Sequence, residues 1–232
     1  MMFVISRIRR WLYDNKIRRL HLLHRSKHLS SYSFIDSILE RFKGNGGLKH
    51  EYQAYKLFHL RQLLDRYKPA SILELGSGSS TAIFAGYVKS RSGASICSID
   101  ESELWLANAK AIADIKSCDP RFVMRGCARV VSAVGNLTCV GYGLSAERQF
   151  DFVLVDGPSL RINGVRRKDA INDDVFRLAD AFPPRIIVVD GRHATVRALE
   201  RHLAGRYAVE RTALMGEMPG EDYNYFSIFE RL

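Results

Sequence analysis

Ser71-Ile72-Leu73-Glu74-Leu75-Gly76-Ser77-Gly78-Ser79-Ser80-Thr81 is the stretch on which the reading of the chain turns. Ile72, Leu73 and Leu75 form a short apolar run that only Glu74 interrupts. Such a run, bounded by turn residues, reads as a buried strand. Gly76 and Gly78 end it, because glycine reaches backbone angles that side chains forbid and lets a ligand approach the main chain. Ser79, Ser80 or Thr81 supplies a hydroxyl to start the helix that continues at Ala82-Ile83-Phe84-Ala85. A strand, a glycine turn and a helix N-terminus together make a site of nucleotide size.

Downstream, apolar runs and helical spacing alternate. Strands are expected at 71–76, 94–99, 128–134, 150–155 and 185–189, with helices at about 79–90, 102–116, 169–181 and 193–204. Residues 207–212 and 223–230, on either side of a loop holding Pro219-Gly220, read as an antiparallel pair at a sheet edge. Repeated strand–helix units imply an α/β fold with a parallel sheet and right-handed crossovers.

Upstream, residues 3–25 carry Ile5, Ile8, Trp11, Leu12, Ile17, Leu20 and Leu23 at roughly helical spacing with arginines between them, the pattern of a basic amphipathic helix. A helix is expected at 33–43, then the breaker Gly44-Asn45-Gly46-Gly47, then a helix at 50–67 stopped by Pro69. The expected division is a helical arm over 1–47 and a nucleotide-binding domain over 48–232. His21, His24 and His28 recur along the arm, and with no acid or cysteine beside them they read as surface residues of a basic face.

The 232 residues suffice for one sizeable α/β domain with an appendage. The net charge of +10 is uneven: residues 1–30 hold eight Lys and Arg against Asp14 alone, leaving the rest near +3. The basic character therefore belongs to the arm and does not lie across the nucleotide site, so no nucleic-acid partner is expected. The arm suits a peripheral contact with an anionic membrane, a homodimer contact or packing on the body. No segment has the roughly 18 apolar residues that span a bilayer, and Met1–Ile5 is too short for a secretory apolar core. Cys97, Cys118, Cys127 and Cys139 show no C-x-x-C spacing, which points to reduced thiols and a cytoplasmic setting.

Acids stand at the ends of the expected strands. Glu74 precedes the glycine turn, Asp100-Glu101 closes the second strand, Asp156-Gly157-Pro158 the fourth, and Asp190-Gly191-Arg192-His193 the fifth. In a sheet of this type ligands bind at those ends. An acid closing the second strand suits the vicinal hydroxyls of a ribose, in NAD or S-adenosylmethionine alike. A dinucleotide fingerprint places a third glycine where this chain has Thr81. Glu74 would repel a pyrophosphate but suits a ligand with a cationic amino-acid part.

The run 72–80 resembles motif I of the class I S-adenosylmethionine-dependent methyltransferases. Phe150-Asp151-Phe152-Val153-Leu154-Val155-Asp156-Gly157-Pro158 is similar to the fourth-strand motif of small-molecule O-methyltransferase-like members. The resemblance covers residues 50–232 and implies a Rossmann-like, seven-stranded, mostly parallel sheet with an antiparallel C-terminal strand and helices on both faces. It implies that Glu74, Gly76, Ser77, Gly78 and Ser79 line the methionine end of the cofactor, with Asp156 beside it. It further implies that Asp100 holds the ribose, with Glu101 as the second candidate. No acid in 131–136 matches the family's adenine partner. The function implied is O-methylation of a small molecule or a sugar or glycan acceptor.

Some members bind a divalent metal through acids of the fourth and fifth strands, and Asp156 and Asp190 match that pair for magnesium. Gly191 stands where a further ligand is usual. Asp156 and His193 are the candidate catalytic groups; His193 also suits a helix cap. Arg161, Arg166, Arg167 and Lys168 form a substrate loop able to hold a phosphate or carboxylate. Two other readings stand beside this one: a catalytically silent methyltransferase-like subunit docked on a membrane or partner enzyme, and an NAD-dependent oxidoreductase.

Overall fold

Four residues at or just past strand ends fall on one line across the sheet, and the hydrogen-bond register puts them there. Leu75 pairs with Ile99 on one side and Val155 on the other, and Val155 pairs with Val189. The next residue of each strand is therefore Gly76, Asp100, Asp156 and Asp190, along a single edge. These relations come from a computed structural model that describes residues 19, 21–47, 53–116, 118–134, 136–145, 148–213 and 224–232.

The elements in chain order are α1 (Leu29–Gly44), α2 (Gln53–Tyr67), β1 (Ser71–Leu75), α3 (Ser79–Ser90), β2 (Ser95–Asp100), α4 (Glu103–Ile112), β3 (Phe122–Gly126), β4 (Val130–Val134) and β5 (Leu137–Gly141). There follow β6 (Phe152–Val155), β7 (Arg161–Ile162), β8 (Val165–Arg166), α5 (Asp174–Ala181), β9 (Ile186–Asp190), α6 (His193–His202), β10 (Tyr207–Ala213) and β11 (Asn224–Arg231). Seven strands form one sheet in the order β10-β11-β9-β6-β1-β2-β3. Only β11 runs against the rest, antiparallel to both β9 and β10. The expected Rossmann-like sheet with an antiparallel C-terminal strand is the one observed.

Alternation along the strands divides the core in two. Ile72, Phe152, Leu154, Ile186 and Val188 face α1, α2 and α3. Leu73, Leu75, Val153, Val155, Ile187 and Val189 face α5 and α6. The central strands are apolar on both faces, as burial between two helical layers requires.

Two expectations are corrected. The third strand of the sheet is Phe122–Gly126, not 128–134. Val130 and Val131 belong to a separate hairpin, β4–β5, where both are exposed. Their β-branched side chains made a stronger strand signal than the true edge strand, which ends Arg125-Gly126 and leaves Val123 exposed; burial by neighbours decided the pairing, not propensity. The second correction concerns the arm. α1 buries Tyr32, Ile35, Ile38, Leu39 and Phe42 in the same cluster as α2 and α3, so residues 29–44 are part of the body. Residues 21–27 are helical, and the remainder of the amphipathic stretch, 1–18 and 20, lies outside the described residues, as do the membrane and dimer contacts expected of it. Among the described residues no helix is long and apolar enough to cross a membrane.

Candidate active site

The glycine turn is held from beneath by Glu74. This side chain is fully buried. It accepts hydrogen bonds from the hydroxyls of Ser80 (2.5 Å), Thr81 (2.7 Å) and Ser98 (2.5 Å). Burial pushes its pKa up to about 7, against those three bonds, which favour the charged form. The Thr81 hydroxyl also accepts from the Gly78 N–H at 3.0 Å. The position where a dinucleotide fingerprint has glycine is thus a bridge from the turn to Glu74. Glu74 organises the turn and does not line a cleft, which corrects its assignment to the methionine end.

Above the turn lies a cleft of about 300 Å³, lined by Gly76, Ser77, Gly78, Ser79, Asp100 and Glu101. A Cβ on Gly78 would meet only Phe42 Cζ, at 4.0 Å, so the missing side chain leaves open space over the main chain. Phe42 stacks on Trp105 with ring centroids 5.5 Å apart, and both rings line the cleft. Asp100 accepts from the N–H groups of Ser77 and Ser102, each at 2.8 Å, and from the Ser77 hydroxyl at 3.2 Å. Burial raises its pKa, although the Ser102 and Ser77 bonds pull the other way. Glu101 is tied on both oxygens, accepting from the Tyr142 hydroxyl and the Ser159 N–H at 2.8 Å each. It braces the loop after β6.

A second cleft, of about 610 Å³, adjoins the first; Gln53, Asp156 and Ser159 line both. Asp190 lies in its floor, bonded to the Lys56 ammonium that α2 brings in. Burial and then the Asp156 charge raise the Asp190 pKa to about 6, against the pull of Lys56. Burial works against the Lys56 ammonium, but Asp190 and Asp156 outweigh it and its pKa is raised. Arg192 is 7% exposed and donates through Nη2 to the carbonyls of Asp156 and, at 2.6 Å, Pro158. Its Nε and Nη1 are buried with no hydrogen-bond partner. The outer wall is the β7–β8 hairpin, which contributes Arg161 and Arg166.

The structure brings Asp156, Asp190, Arg161 and Arg166 together with the glycine turn and Asp100. His193 is the first residue of α6 and lines neither cleft; its neighbour Arg192 does. Arg167 points to Asp169 (2.8 Å), and Lys168 lines neither cleft, so the expected four-cation loop contributes two. The site does not fit a divalent ion: among the described residues no three His, Cys, Asp or Glu converge, and the Lys56 ammonium holds the acid a metal would need. Sequence reading missed Lys56, which shows there only as one polar position on a helix, and Arg192, whose neighbour His193 drew attention as a titratable group. It also missed the hairpin, whose Asn163-Gly164 between Ile162 and Val165 is the strongest short-range hairpin signal.

No protein-family model matches the chain, and no curated relative does. Solved structures do match. An O-methyltransferase from Bacillus cereus in complex with SAH superimposes with TM-score 0.56 and 16% identity, over 86% of this chain and 90% of that one. The O-methyltransferase TomG from Streptomyces achromogenes, in complex with SAM, gives TM-score 0.53 and 14% identity, over 85% and 88%. A methyltransferase from Geobacter sulfurreducens gives 0.52 and 12%, over 85% and 88%.

Proposed function

We propose, from the fold shared with these proteins and from the geometry of the two clefts, that this chain is an S-adenosylmethionine-dependent O-methyltransferase acting on a small molecule or glycan unit. The observation that carries the reading is the common wall: a cleft over the glycine turn and a second, charged cleft meet at Asp156. A donor in the first and an acceptor in the second would face each other there. The dinucleotide alternative calls for a classic order of six parallel strands, whereas here antiparallel β11 is inserted between β9 and β10.

The donor presents a methyl group on a sulfonium, which an acceptor oxygen displaces in line; the protein's part is placement and removal of a proton. Gly76 and Gly78 admit the donor's main body to the turn. Asp100 keeps acceptor capacity for ribose hydroxyls beyond its three bonds. Phe42 and Trp105 give a flat apolar wall for a purine, taking the place of an acid after β3. Asp190, with its pKa near 6, is ionised enough at neutral pH to take a hydroxyl proton. The Lys56 ammonium then holds the oxygen's developing charge, the part a metal plays elsewhere. Free thiols at Cys97, Cys118, Cys127 and Cys139 support a reducing, cytoplasmic setting.

The test is calorimetric titration with S-adenosylhomocysteine. Binding to the native chain is expected, weakened at least about tenfold in Gly78→Val, whose side chain fills the open space over the turn. Absence of heat and of any thermal shift with both the methyl donor and its demethylated product would overturn the reading.

A further inference from the structure

We infer that the acceptor carries a phosphate or diphosphate group, and that Arg161 and Arg166 clamp it against Arg192. This rests on the methyl-transfer reading of the adjoining cleft. β7 and β8 pair in register, with Arg161 directly opposite Arg166 and Ile162 opposite Val165. The turn between them, Asn163-Gly164, has φ of 50° and 79°, which fixes that register. Residues directly opposite on an antiparallel pair project to the same side, and like charges placed so repel. The hairpin thus holds two guanidinium groups side by side at a local cost.

No carboxylate pairs with Arg161 or Arg166 among the described residues; the Arg161 guanidinium makes a 3.5 Å contact to the Gly164 carbonyl of its own turn. The next arginine along, Arg167, is neutralised by Asp169. Of the arginines at 161, 166 and 167, the two with no carboxylate partner among the described residues are the two that line the cleft. The base of the hairpin is braced from outside, where Arg129 donates to the carbonyls of Ser159 (3.1 Å) and Arg161.

Arg192, which lines the same cleft, supplies the second, independent observation. Arg192 is buried with Nε and Nη1 unpartnered. A buried donor left unmade is costly, and a water or a ligand oxygen is the acceptor it lacks. The cleft's cations are Lys56, Arg161, Arg166 and Arg192, its acids Asp156 and Asp190, so it carries two positive charges in excess. A phosphate monoester carries about −1.5 to −2 at neutral pH and three strong acceptor oxygens, and the planar fork of arginine matches phosphate geometry. A carboxylate matches neither the charge nor the number of donors. The acceptor is accordingly a small phosphorylated molecule whose hydroxyl reaches Asp190.

The experiment titrates pyrophosphate, inorganic phosphate and acetate into the full chain saturated with S-adenosylhomocysteine. Pyrophosphate is expected to bind at least about tenfold more tightly than acetate. Arg161→Met and Arg166→Met should each weaken it about tenfold, the effect of losing a charged hydrogen-bond donor, while Arg167→Met changes nothing. The Arg161→Met/Arg166→Met double variant should melt no lower than the native chain, since a repelling pair is removed. Loss of S-adenosylhomocysteine binding with arginine-dependent pyrophosphate binding intact would overturn the methyl-transfer reading and leave the anion site. Retained S-adenosylhomocysteine binding with no pyrophosphate binding, or an equal loss in Arg167→Met, would overturn the inference. So would sedimentation with phosphatidic-acid vesicles that is lost in the double variant while soluble pyrophosphate fails to bind, because the phosphate would then belong to a lipid.

Discussion

Gly76 and Gly157 meet backbone to backbone. A Cβ on Gly76 would lie 2.5 Å from the Gly157 nitrogen, and one on Gly157 would lie 2.6 Å from Gly76 Cα. The N–H groups of Asp156 and Gly157 both donate to the Leu75 carbonyl, so the turns after β1 and β6 are locked together. Both glycines line the cleft over the turn. Gly76 also has φ of 96°, in the left-handed region. Gly76→Ala is therefore expected to cost about 2–4 kcal/mol of stability, from strain and steric conflict together. Gly78, whose φ of 173° is extended and whose Cβ would meet open space, should tolerate alanine within about 0.5 kcal/mol. Urea unfolding of the two variants checks the contrast; equal losses would refute the account of the turn.

The Lys56–Asp190 pair sets a pH-dependent stability. The Asp190 pKa is raised in the folded state, to about 6 from 3.8. The folded chain holds that proton more tightly than the unfolded chain, so the contribution is full below about pH 4 and is lost as pH rises through 6. Lys56→Met removes the opposing cation, raises the Asp190 pKa further and extends the loss to higher pH. The variant should match the native chain near pH 4 and be less stable at pH 8 by about 2 kcal/mol, below the value for a fully buried pair because Lys56 keeps 28% exposure. Adding Asp190→Asn should recover most of that loss. A Lys56→Met variant equally destabilised at both pH values would count against the pairing.

Magnesium has no built site among the described residues. Melting temperature and S-adenosylhomocysteine affinity should be unchanged by millimolar magnesium or by EDTA. A magnesium-dependent rise in either, abolished in Asp190→Asn, would restore the metal reading.

Glu74 makes a second pH-sensitive point, deep under the turn. Burial holds its pKa at about 7, up from 4.5. By the same sign, its contribution is full below about pH 4.5 and falls as pH rises through 7, by at most about 3 kcal/mol. Glu74→Gln cannot ionise, so its stability should change less between pH 5 and 8 than that of the native chain. Parallel pH profiles for the two would show that the carboxyl is ionised throughout.

His24 acts in the opposite direction. It packs edge-on against Phe58 and Tyr55, with centroids 4.8 and 5.1 Å away. Burial, then the neighbouring His28, His59 and His21, lowers its pKa to about 4 from 6.5. A depressed pKa means stability that is full above pH 6.5 and is lost as pH falls toward 4. Amide exchange in residues 21–27 should accelerate from pH 7 to pH 5 beyond the intrinsic trend, and His24→Phe should remove that excess. Identical exchange in the two chains would remove His24 as the cause.

The sequence by itself determined the central strands of the sheet and the line of residues along their edge. Apolar runs buried on both faces can only be central strands, and Gly76, Asp100, Asp156 and Asp190 each follow such a run, so local pattern placed them. Tertiary structure alone decided what faces that line. The third strand at 122–126 was hidden because its pairing with β2, not its own propensity, makes it a strand. Glu74 reads as a ligand contact from its spacing, but burial turned it toward three hydroxyls. Lys56 and Arg192 come from helix α2 and from the turn before α6, and they converge only because the helices pack where they do. Four cations in the chain after Asp156 looked alike until the hairpin register sent Arg161 and Arg166 into the cleft and left Arg167 with Asp169. Local chemistry fixed which residues border the site, and long-range packing fixed which of their charges remain unneutralised there.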